Sequence, residues 1–277
     1  MEKNPREIAL DILLDIEKNK IFSNTALNTG LRSNQFMSKQ ERAFITRLVE
    51  GVVETRIRLD YIINSFSNTK VNKCKPLIRC ILRMGTYQIF YMEKVPDEAA
   101  CNECVKLAEK RGFRNLKGFV NGVLRNISRN KDNIKYPDKA NEHRKYISVM
   151  YSVPEEVIDI LEEDYSPEDV ESIVCAAFAD RSTTIRVNRD RISVDEFKKE
   201  LESNGISVRR GNYTDNTLLI DDYDYIRKVP GFHQGYFNVT DESSVMAVDC
   251  AGINKGDLVL DMCAAPGGKT MYAAELT

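Results

Sequence analysis

The sequence contains no long apolar segment and no leader-like start. None of its apolar runs approaches the ~20 residues that a membrane-spanning helix needs. The first residues lead directly into an amphipathic helical pattern, without the apolar stretch of a signal peptide. We therefore expect a cytoplasmic protein that does not bind a membrane.

Histidine is also scarce, and the cysteines show no pairing pattern. The sequence has 7 cysteines and 2 histidines, which is typical of a reducing compartment rather than of a disulfide framework. Cys101 and Cys104 have metal-ligand spacing, but neither His143 nor His233 belongs to a cluster with cysteine, as a zinc site requires. Both cysteines lie in a helical pattern, so we expect them on one helix face and expect no metal.

Charge is divided unequally along the chain. Residues 1–135 carry 25 Lys and Arg against 15 Asp and Glu, whereas residues 136–277 carry 15 against 27. The formal net charge of −2 therefore hides a basic first half and an acidic second half. Such a division indicates separate domains with different surfaces.

Apolar residues at helical spacing fill the first half, which predicts an all-α bundle over residues 1–135. Ser38 and Glu41 match a capping box at the start of one helix. Further helices are predicted over residues 60–66, 75–92, 97–111 and 118–129.

A polar, proline-broken segment at residues 130–140 marks a boundary. Two domains are predicted after it. Residues 141–235 should hold helices (141–150, 154–164, 167–179) and a small α+β unit that resembles a ferredoxin or RRM fold, with strands at 183–188, 206–210 and 217–220 and a helix at 194–203. Residues 236–277 should begin a Rossmann-like α/β domain with a helix at 241–251 and a strand at 258–262. One more strand candidate lies at 235–240, across this boundary.

Residues 258–270 read Leu-Val-Leu-Asp-Met-Cys-Ala-Ala-Pro-Gly-Gly-Lys-Thr, an apolar strand followed by a glycine turn and the start of a helix. Asp261 ends the strand, and Gly267 and Gly268 permit close approach of the backbone to a ligand. An ordinary βα turn is the plain alternative. A phosphate-binding P-loop would need glycine at Cys263, and no G-x-G-x-x-G dinucleotide motif is present. An S-adenosylmethionine (SAM) loop remains.

This segment resembles the first SAM motif of the Sun/Fmu family of RNA 5-methylcytosine methyltransferases, D-x-C-A-A-P-G-G-K-T. Residues 230–244 are similar to the family's preceding motif, with Thr240 where glutamine is usual. Four segments, residues 42–45, 81–88, 95–99 and 119–125, resemble the NusB-like domain of the bacterial branch that modifies small-subunit rRNA.

The resemblance implies SAM as cofactor, small-subunit ribosomal RNA as partner, and methylation of cytosine at C5 through a cysteine-thiolate adduct at C6. It places the catalytic cysteines beyond Thr277, so none of the catalytic residues is expected in this chain. We expect the chain to be a truncated monomer that is inactive alone and binds SAM weakly. The implied cofactor-binding residues are Cys263, Ala264, Ala265, Pro266, Gly267, Gly268 and Lys269. We expect Cys263 to line the cofactor loop and Cys250 to lie in the core.

Basic residues concentrate in two segments of the first half. Residues 70–83 hold Lys70, Lys73, Lys75, Arg79 and Arg83 without an acid. The RNA-binding candidates of the second segment are Lys106, Lys110, Arg111, Arg114, Lys117, Arg125 and Arg129. A solvated helix face is the alternative interpretation. Arg186, Arg189 and Arg191 could add RNA contacts. A non-catalytic NusB-like RNA-binding or antitermination protein is the competing function.

Overall fold

The chain forms two compact units, Met1–Ala179 and Asp180–Thr277. The computed structural model describes residues 4–34, 36–177, 182–223 and 225–277. Within these residues, no helix combines the length and the apolarity that crossing a membrane requires.

The first unit is helical throughout its described residues. Its α-helices are α1 (Pro5–Asn19), α2 (Ser23–Arg32), α3 (Lys39–Glu54), α4 (Arg56–Phe66), α5 (Pro76–Tyr91), α6 (Asp97–Lys110), α7 (Lys117–Arg129), α8 (His143–Tyr151), α9 (Glu155–Glu162) and α10 (Pro167–Ala177). The helices predicted from apolar spacing are therefore confirmed, with ends shifted by a few residues; positions 178 and 179 of the last lie outside the described residues. Helix α2 was not predicted separately, because it buries only Ala26 and Leu27.

Helix α3 begins as its sequence predicts. The Ser38 hydroxyl accepts a hydrogen bond from the Glu41 N–H at 3.2 Å, and the Glu41 carboxylate accepts one from the Ser38 N–H at 2.9 Å. This reciprocal pair is a capping box, which satisfies two backbone donors that a helix start leaves free.

The core of the first unit surrounds α5, which is buried along most of its length. Cys101 and Cys104 lie one turn apart in α6 and are both buried in this core, which confirms their placement on one helix face. Burial raises the pKa of the Cys104 thiol to about 12. Among the described residues, no group of three or more His, Cys, Asp and Glu side chains could hold a metal ion.

A smaller cluster of Ile147, Ile158, Val170 and Val174 joins α8, α9 and α10. These three helices belong to the first compact unit. The division of the sequence at residues 135–141 and 235 stays a prediction.

The second unit contains a four-stranded antiparallel sheet with helix α11 (Val194–Ser203) on one face. The strands are β1 (Thr183–Val187), β2 (Ser207–Arg210), β3 (Thr217–Asp221) and β4 (Phe237–Val239), in the order β2-β3-β1-β4. Ile185 of β1 pairs with Leu218 of β3 and with Val239 of β4. This sheet and helix confirm the predicted ferredoxin-like α+β unit.

Two helices complete the second unit, α12 (Glu242–Asp249) and α13 (Gly268–Leu276). The strand predicted over residues 258–262 is wrong: these residues form no strand, and Leu258, Leu260 and Met262 are exposed. A strand is stabilised by hydrogen bonds to a neighbour. The sheet of the second unit includes only β1–β4, so this apolar segment has no strand to pair with in the described chain.

Candidate functional site

The end of β4, the start of α12 and the residues leading into α13 line an open cavity of about 240 Å³ in the second unit. All seven residues predicted to hold a cofactor line it, so the structure brings them together. The complete lining is Val239, Thr240, Asp241, Ser244, Asp261, Cys263, Ala264, Ala265, Pro266, Gly267, Gly268 and Lys269. We refer to residues 263–267 as the glycine loop.

Asp261 closes the glycine loop onto the start of α13. Its carboxylate accepts a hydrogen bond from the Thr270 hydroxyl at 2.6 Å and another from the Cys263 N–H at 3.0 Å. The hydrogen bond from Thr270, followed by that from Cys263, holds the pKa of Asp261 below its ordinary value. Asp261 is thus an ionised anchor that gives the loop its closed shape.

Two glycines make the close approach between the loop and the sheet possible. Gly267 precedes α13 with φ of 110°, a left-handed conformation that glycine adopts without steric cost. A Cβ atom on Gly268 would lie 3.1 Å from the Thr240 hydroxyl oxygen. A side chain at position 268 would therefore crowd the wall formed by the end of β4.

The first N–H groups of α13 have no acceptor within their own helix, as at every α-helix start. The helix dipole and these donors favour an anionic group of a ligand, and Lys269 adds a positive charge beside them. The Thr240 hydroxyl oxygen is buried without a hydrogen-bond partner among the described residues.

Sequence reasoning missed the second wall of the cavity. Val239, Thr240, Asp241 and Ser244 come from β4 and the start of α12. The signal was present, because these residues belong to the motif at 230–244 that precedes the glycine loop in the resemblance.

Glu242 fixes this second wall. Its carboxylate accepts hydrogen bonds from the N–H groups of Asn212, Tyr213 and Thr214, at 2.8 to 3.2 Å, and from the Thr217 hydroxyl at 3.0 Å. Burial favours a higher pKa for Glu242, but these hydrogen bonds outweigh it and hold the pKa below the ordinary value. Helix α12 is thereby attached to the loop between β2 and β3.

Two cysteines of the second unit are exposed. Cys263 lines the cavity from within the glycine loop, where the sequence places it. The prediction that Cys250 lies in the core is wrong. Helix α12 ends at Asp249, and Cys250 caps it on the exposed side.

The candidate RNA-binding cations of the first unit lie on α6, α7 and the connection between them. Several contact acids: Lys106 with Glu103 at 2.7 Å, Lys110 with Glu7 at 2.5 Å, Arg111 with Asp11, and both Lys117 (2.9 Å) and Arg114 (3.9 Å) with Glu109. Arg125 donates to Asn121 at 3.0 Å, and Arg129 ends α7. The Arg114 side chain is 84% exposed. Acids thus neutralise part of this surface.

Among three other arginines, the RNA contacts suggested for Arg83 and Arg186 are wrong because both residues are buried, whereas the Arg79 side chain is 20% exposed. Arg79 and Arg83 of α5 pair with Glu17 of α1, and Arg83 also pairs with Asp60 of α4. Arg186 of β1 is fully buried and pairs with Glu275 of α13. Each of the three binds a partner distant in sequence, which local charge counting does not reveal.

Residues 3–129 match the NusB family, and residues 153–224 match the Methyltr_RsmF/B-like, ferredoxin-like domain. The chain is 34% identical over 271 residues to the "Probable ribosomal RNA small subunit methyltransferase B" of Bacillus subtilis, covering 98% of this chain. The chain belongs to the Sun/Fmu family.

A Synechocystis relative of the same name shows 30% identity over 273 residues. The chain spans 60% of the length of each of these two Sun/Fmu relatives. The crystal structure of PH0851 aligns with 100% of this chain, and the alignment includes 62% of the PH0851 chain. The TM-score is 0.70 and the sequence identity 20%, which shows a shared fold.

The Sun/Fmu glycine loop suits part of a SAM molecule. Its cavity of about 240 Å³ is smaller than the roughly 300–1,000 Å³ of most ligand pockets. The free N–H groups of α13 and Lys269 can bind a carboxylate, and the two glycines leave room beside the backbone. The residues present therefore fit one portion of the cofactor rather than all of it.

Proposed function

We propose that this chain takes part in SAM-dependent methylation of small-subunit ribosomal RNA at C5 of a cytosine. The observation that carries the proposal is the cavity at the start of α13, lined by every residue of the glycine loop. Relatives named ribosomal RNA small subunit methyltransferase B, similar over nearly the whole chain, support the same activity.

In this proposal each part of the site has a defined task. The glycine loop and the first turn of α13 bind the cofactor, with Lys269 and the free N–H groups beside its carboxylate. Asp261 keeps the loop closed through Thr270 and Cys263. When bound, SAM supplies the methyl group. The helical unit contributes cations for the RNA phosphates, because Lys and Arg side chains neutralise phosphate charge.

We further propose that the 277-residue chain has no methyltransferase activity alone. Covalent catalysis at cytosine C6 needs an activated thiolate beside the base. Among the described residues, Cys263 is the one cysteine that lines the cavity, and it belongs to the loop that would hold the cofactor. The chain spans 60% of the length of the Bacillus subtilis relative, and in this proposal the reacting cysteines are not among the residues of the chain.

The binding proposal is tested by titrating SAM into the ¹⁵N-labelled chain and following the amide signals of Gly267 and Gly268. We expect shifts of these signals at millimolar SAM, because one loop supplies few contacts. ATP should leave them unchanged. Gly268→Val should abolish the shift at Gly267 by crowding Thr240, whereas Gly122→Val, on an open face of α7 with no atom within 4 Å of the added Cβ, is the control. Shifts confined to other residues would contradict the proposal.

Activity is tested separately with radiolabelled SAM and small-subunit rRNA. We expect no transfer of label by the chain alone. Incorporation of label into cytosine C5 by this polypeptide would show that its own residues complete the active site.

The second candidate is a non-catalytic RNA-binding or antitermination protein, which the NusB-family match over residues 3–129 favours. The two candidates differ in the glycine loop. A non-catalytic protein would bind rRNA without responding to SAM, so the titration described above decides between them.

A further inference from the structure

Arg186 occupies an unusual place in the second unit. It lies in β1, which has a neighbouring strand on each side, and its side chain is 0% exposed. Arginine is rarely fully buried unless it is paired. Side chains alternate along a strand, so Ile185 and Val187 face the α11 core and Arg186 faces the opposite side.

The guanidinium binds α13 through a two-pronged ion pair. Nη1 donates to Glu275 Oε2 at 2.5 Å, and Nη2 donates to Glu275 Oε1 at 2.7 Å. The same guanidinium lies over the Tyr272 ring, 4.4 Å from the centroid. Glu275 and Tyr272 are one turn apart in α13, so Arg186 contacts a single face of this helix.

The contacts extend to α12 through Tyr272. Its hydroxyl donates to the Asp249 carboxylate at 2.6 Å. One arginine of the sheet is thus connected to both helices on that face: directly to α13, and through Tyr272 to α12.

Helix α13 starts at Gly268, directly after the glycine loop. The orientation of α13 therefore determines where its first N–H groups and the loop lie relative to Thr240. An apolar pair could stabilise such an interface equally well, because desolvation offsets much of the attraction in a buried ion pair. A planar fork on a carboxylate adds one defined geometry, which an apolar contact does not.

We propose that Arg186 is a positioning residue, which through Glu275 and Tyr272 holds α13 and the glycine loop in register with the sheet. That the loop receives SAM rests on the proposed function; that Arg186 orders the loop does not. The sheet thus sets the geometry of the candidate site through Arg186, although Arg186 itself does not line the cavity.

The test uses the full chain with the double variant Arg186→Met/Glu275→Leu, which removes the geometry without leaving a buried charge unpaired. Arg210→Met/Asp195→Leu is the matched control, since these side chains form an ion pair in the same unit but are 47% and 73% exposed. Three quantities are measured: the thermal transition, hydrogen exchange at residues 271–276, whose amides are hydrogen-bonded within α13 from Met271 onward, and the SAM titration at Gly267 and Gly268.

We expect the double variant to keep a cooperative transition and to exchange these amides about tenfold faster than the parent chain. The SAM dissociation constant should rise about tenfold. The control should change neither quantity. If the double variant does not fold, Arg186→Lys serves instead, because lysine keeps a positive charge beside Glu275 but cannot make the two-pronged contact, so exchange should again be faster than in the parent chain.

Unchanged exchange at residues 271–276 in a folded variant would overturn the proposal. The exchange measurement needs no ligand. Failure of the parent chain to bind SAM would contradict the proposed function while leaving the positioning role to be decided by exchange. Faster exchange with unchanged SAM affinity would contradict the coupling to the cofactor site.

Discussion

Single carboxylates shape the candidate site. Asp261 closes the glycine loop with two hydrogen bonds, and Glu242 holds the opposite wall with four. Both side chains have a lowered pKa because donors surround the charged form. A carboxylate of this kind contributes stability above its ordinary pKa and loses it as pH falls through the lowered value.

Thr270→Val tests the closure of the loop. Removing the hydroxyl should raise the pKa of Asp261 towards its ordinary value of 3.8, because the strongest hydrogen bond to the carboxylate is lost. Loop closure should then fail at a higher pH than in the parent chain as the solution is acidified. The measurement is a carbon-detected NMR titration of the Asp261 carboxyl.

Thr277→Val is the control for this titration, since that hydroxyl is also in the α13 region but, among the described residues, donates to the Ala274 carbonyl at 3.4 Å and not to Asp261. An Asp261 pKa that is equal in the parent chain and in Thr270→Val would show that the Thr270 hydroxyl does not stabilise the ionised carboxylate.

Glu242→Gln tests the second wall. The amide cannot accept all the hydrogen bonds that the carboxylate accepts, so we expect a loss of about 1–3 kcal/mol in the free energy of unfolding of the second unit. The loss should be complete above pH 4.5, the ordinary pKa, and should shrink as pH falls through the lowered value.

Denaturant unfolding followed over a pH series measures this difference. Glu202→Gln is the control and should change the free energy of unfolding by less than about 0.5 kcal/mol. The Glu202 side chain is 48% exposed, and its ion pair with Lys198 is long, at 3.7 Å. A Glu242 variant as stable as this control at pH 7 would contradict the role of the carboxylate.

Ion pairs connect the helices of the first unit to one another. Apolar spacing predicts each helix separately but not these connections. Arg83 of α5 donates to Asp60 of α4 at 2.7 Å and to Glu17 of α1 at 3.0 Å. Burial favours a higher pKa for Glu17, but Arg83 and Arg79 lower it below its ordinary value. These contacts fix the orientation of three helices around the core of the first unit.

Arg83→Met should destabilise the first unit by about 3 kcal/mol, because Asp60 loses its partner in a partly buried position while Glu17 keeps Arg79. Lys73→Met is the control, since Lys73 is exposed at the end of a short helical turn and should have little effect. Thermal unfolding measures both variants. Equal stability would mean that the ion pairs add nothing to apolar packing.

Across the whole molecule, the basic first half and the acidic second half remain the main electrostatic feature, although acids neutralise several predicted RNA contacts. Among the ion pairs of the candidate RNA-binding cations, the longest joins Arg114 to Glu109, at 3.9 Å. Such an exposed pair contributes little to stability, so its cation is available for phosphate.

Affinity of the chain for a small-subunit rRNA hairpin should therefore fall as salt rises. Arg114→Ala should reduce the slope of log K against log salt by about 1. Lys139→Ala, which removes a cation that lies outside α6 and α7 and is paired with Glu171 at 2.8 Å, should leave the slope unchanged. An affinity independent of salt would contradict an RNA-binding role for this surface.

Local patterns were sufficient for most elements of this protein. Apolar spacing predicts the helices of the first unit and the alternation that builds β1–β4, because burial on one face requires those periods. The capping box at Ser38 and the glycine loop at residues 263–267 are also local, since neighbouring residues make their hydrogen bonds and turns. The lining of the candidate cavity was predicted for the same reason, as far as the loop itself.

Distant partners decided the rest. Arg83 binds a residue 66 positions away and Arg186 one 89 positions away, so a count of neighbouring charges assigned both to the surface. Residues 258–262 have the composition of a strand but form none, because a strand depends on a paired neighbour that local sequence does not specify. The amino-acid sequence therefore determined the elements and the glycine loop, while tertiary contacts decided which charges are buried and which wall faces the loop.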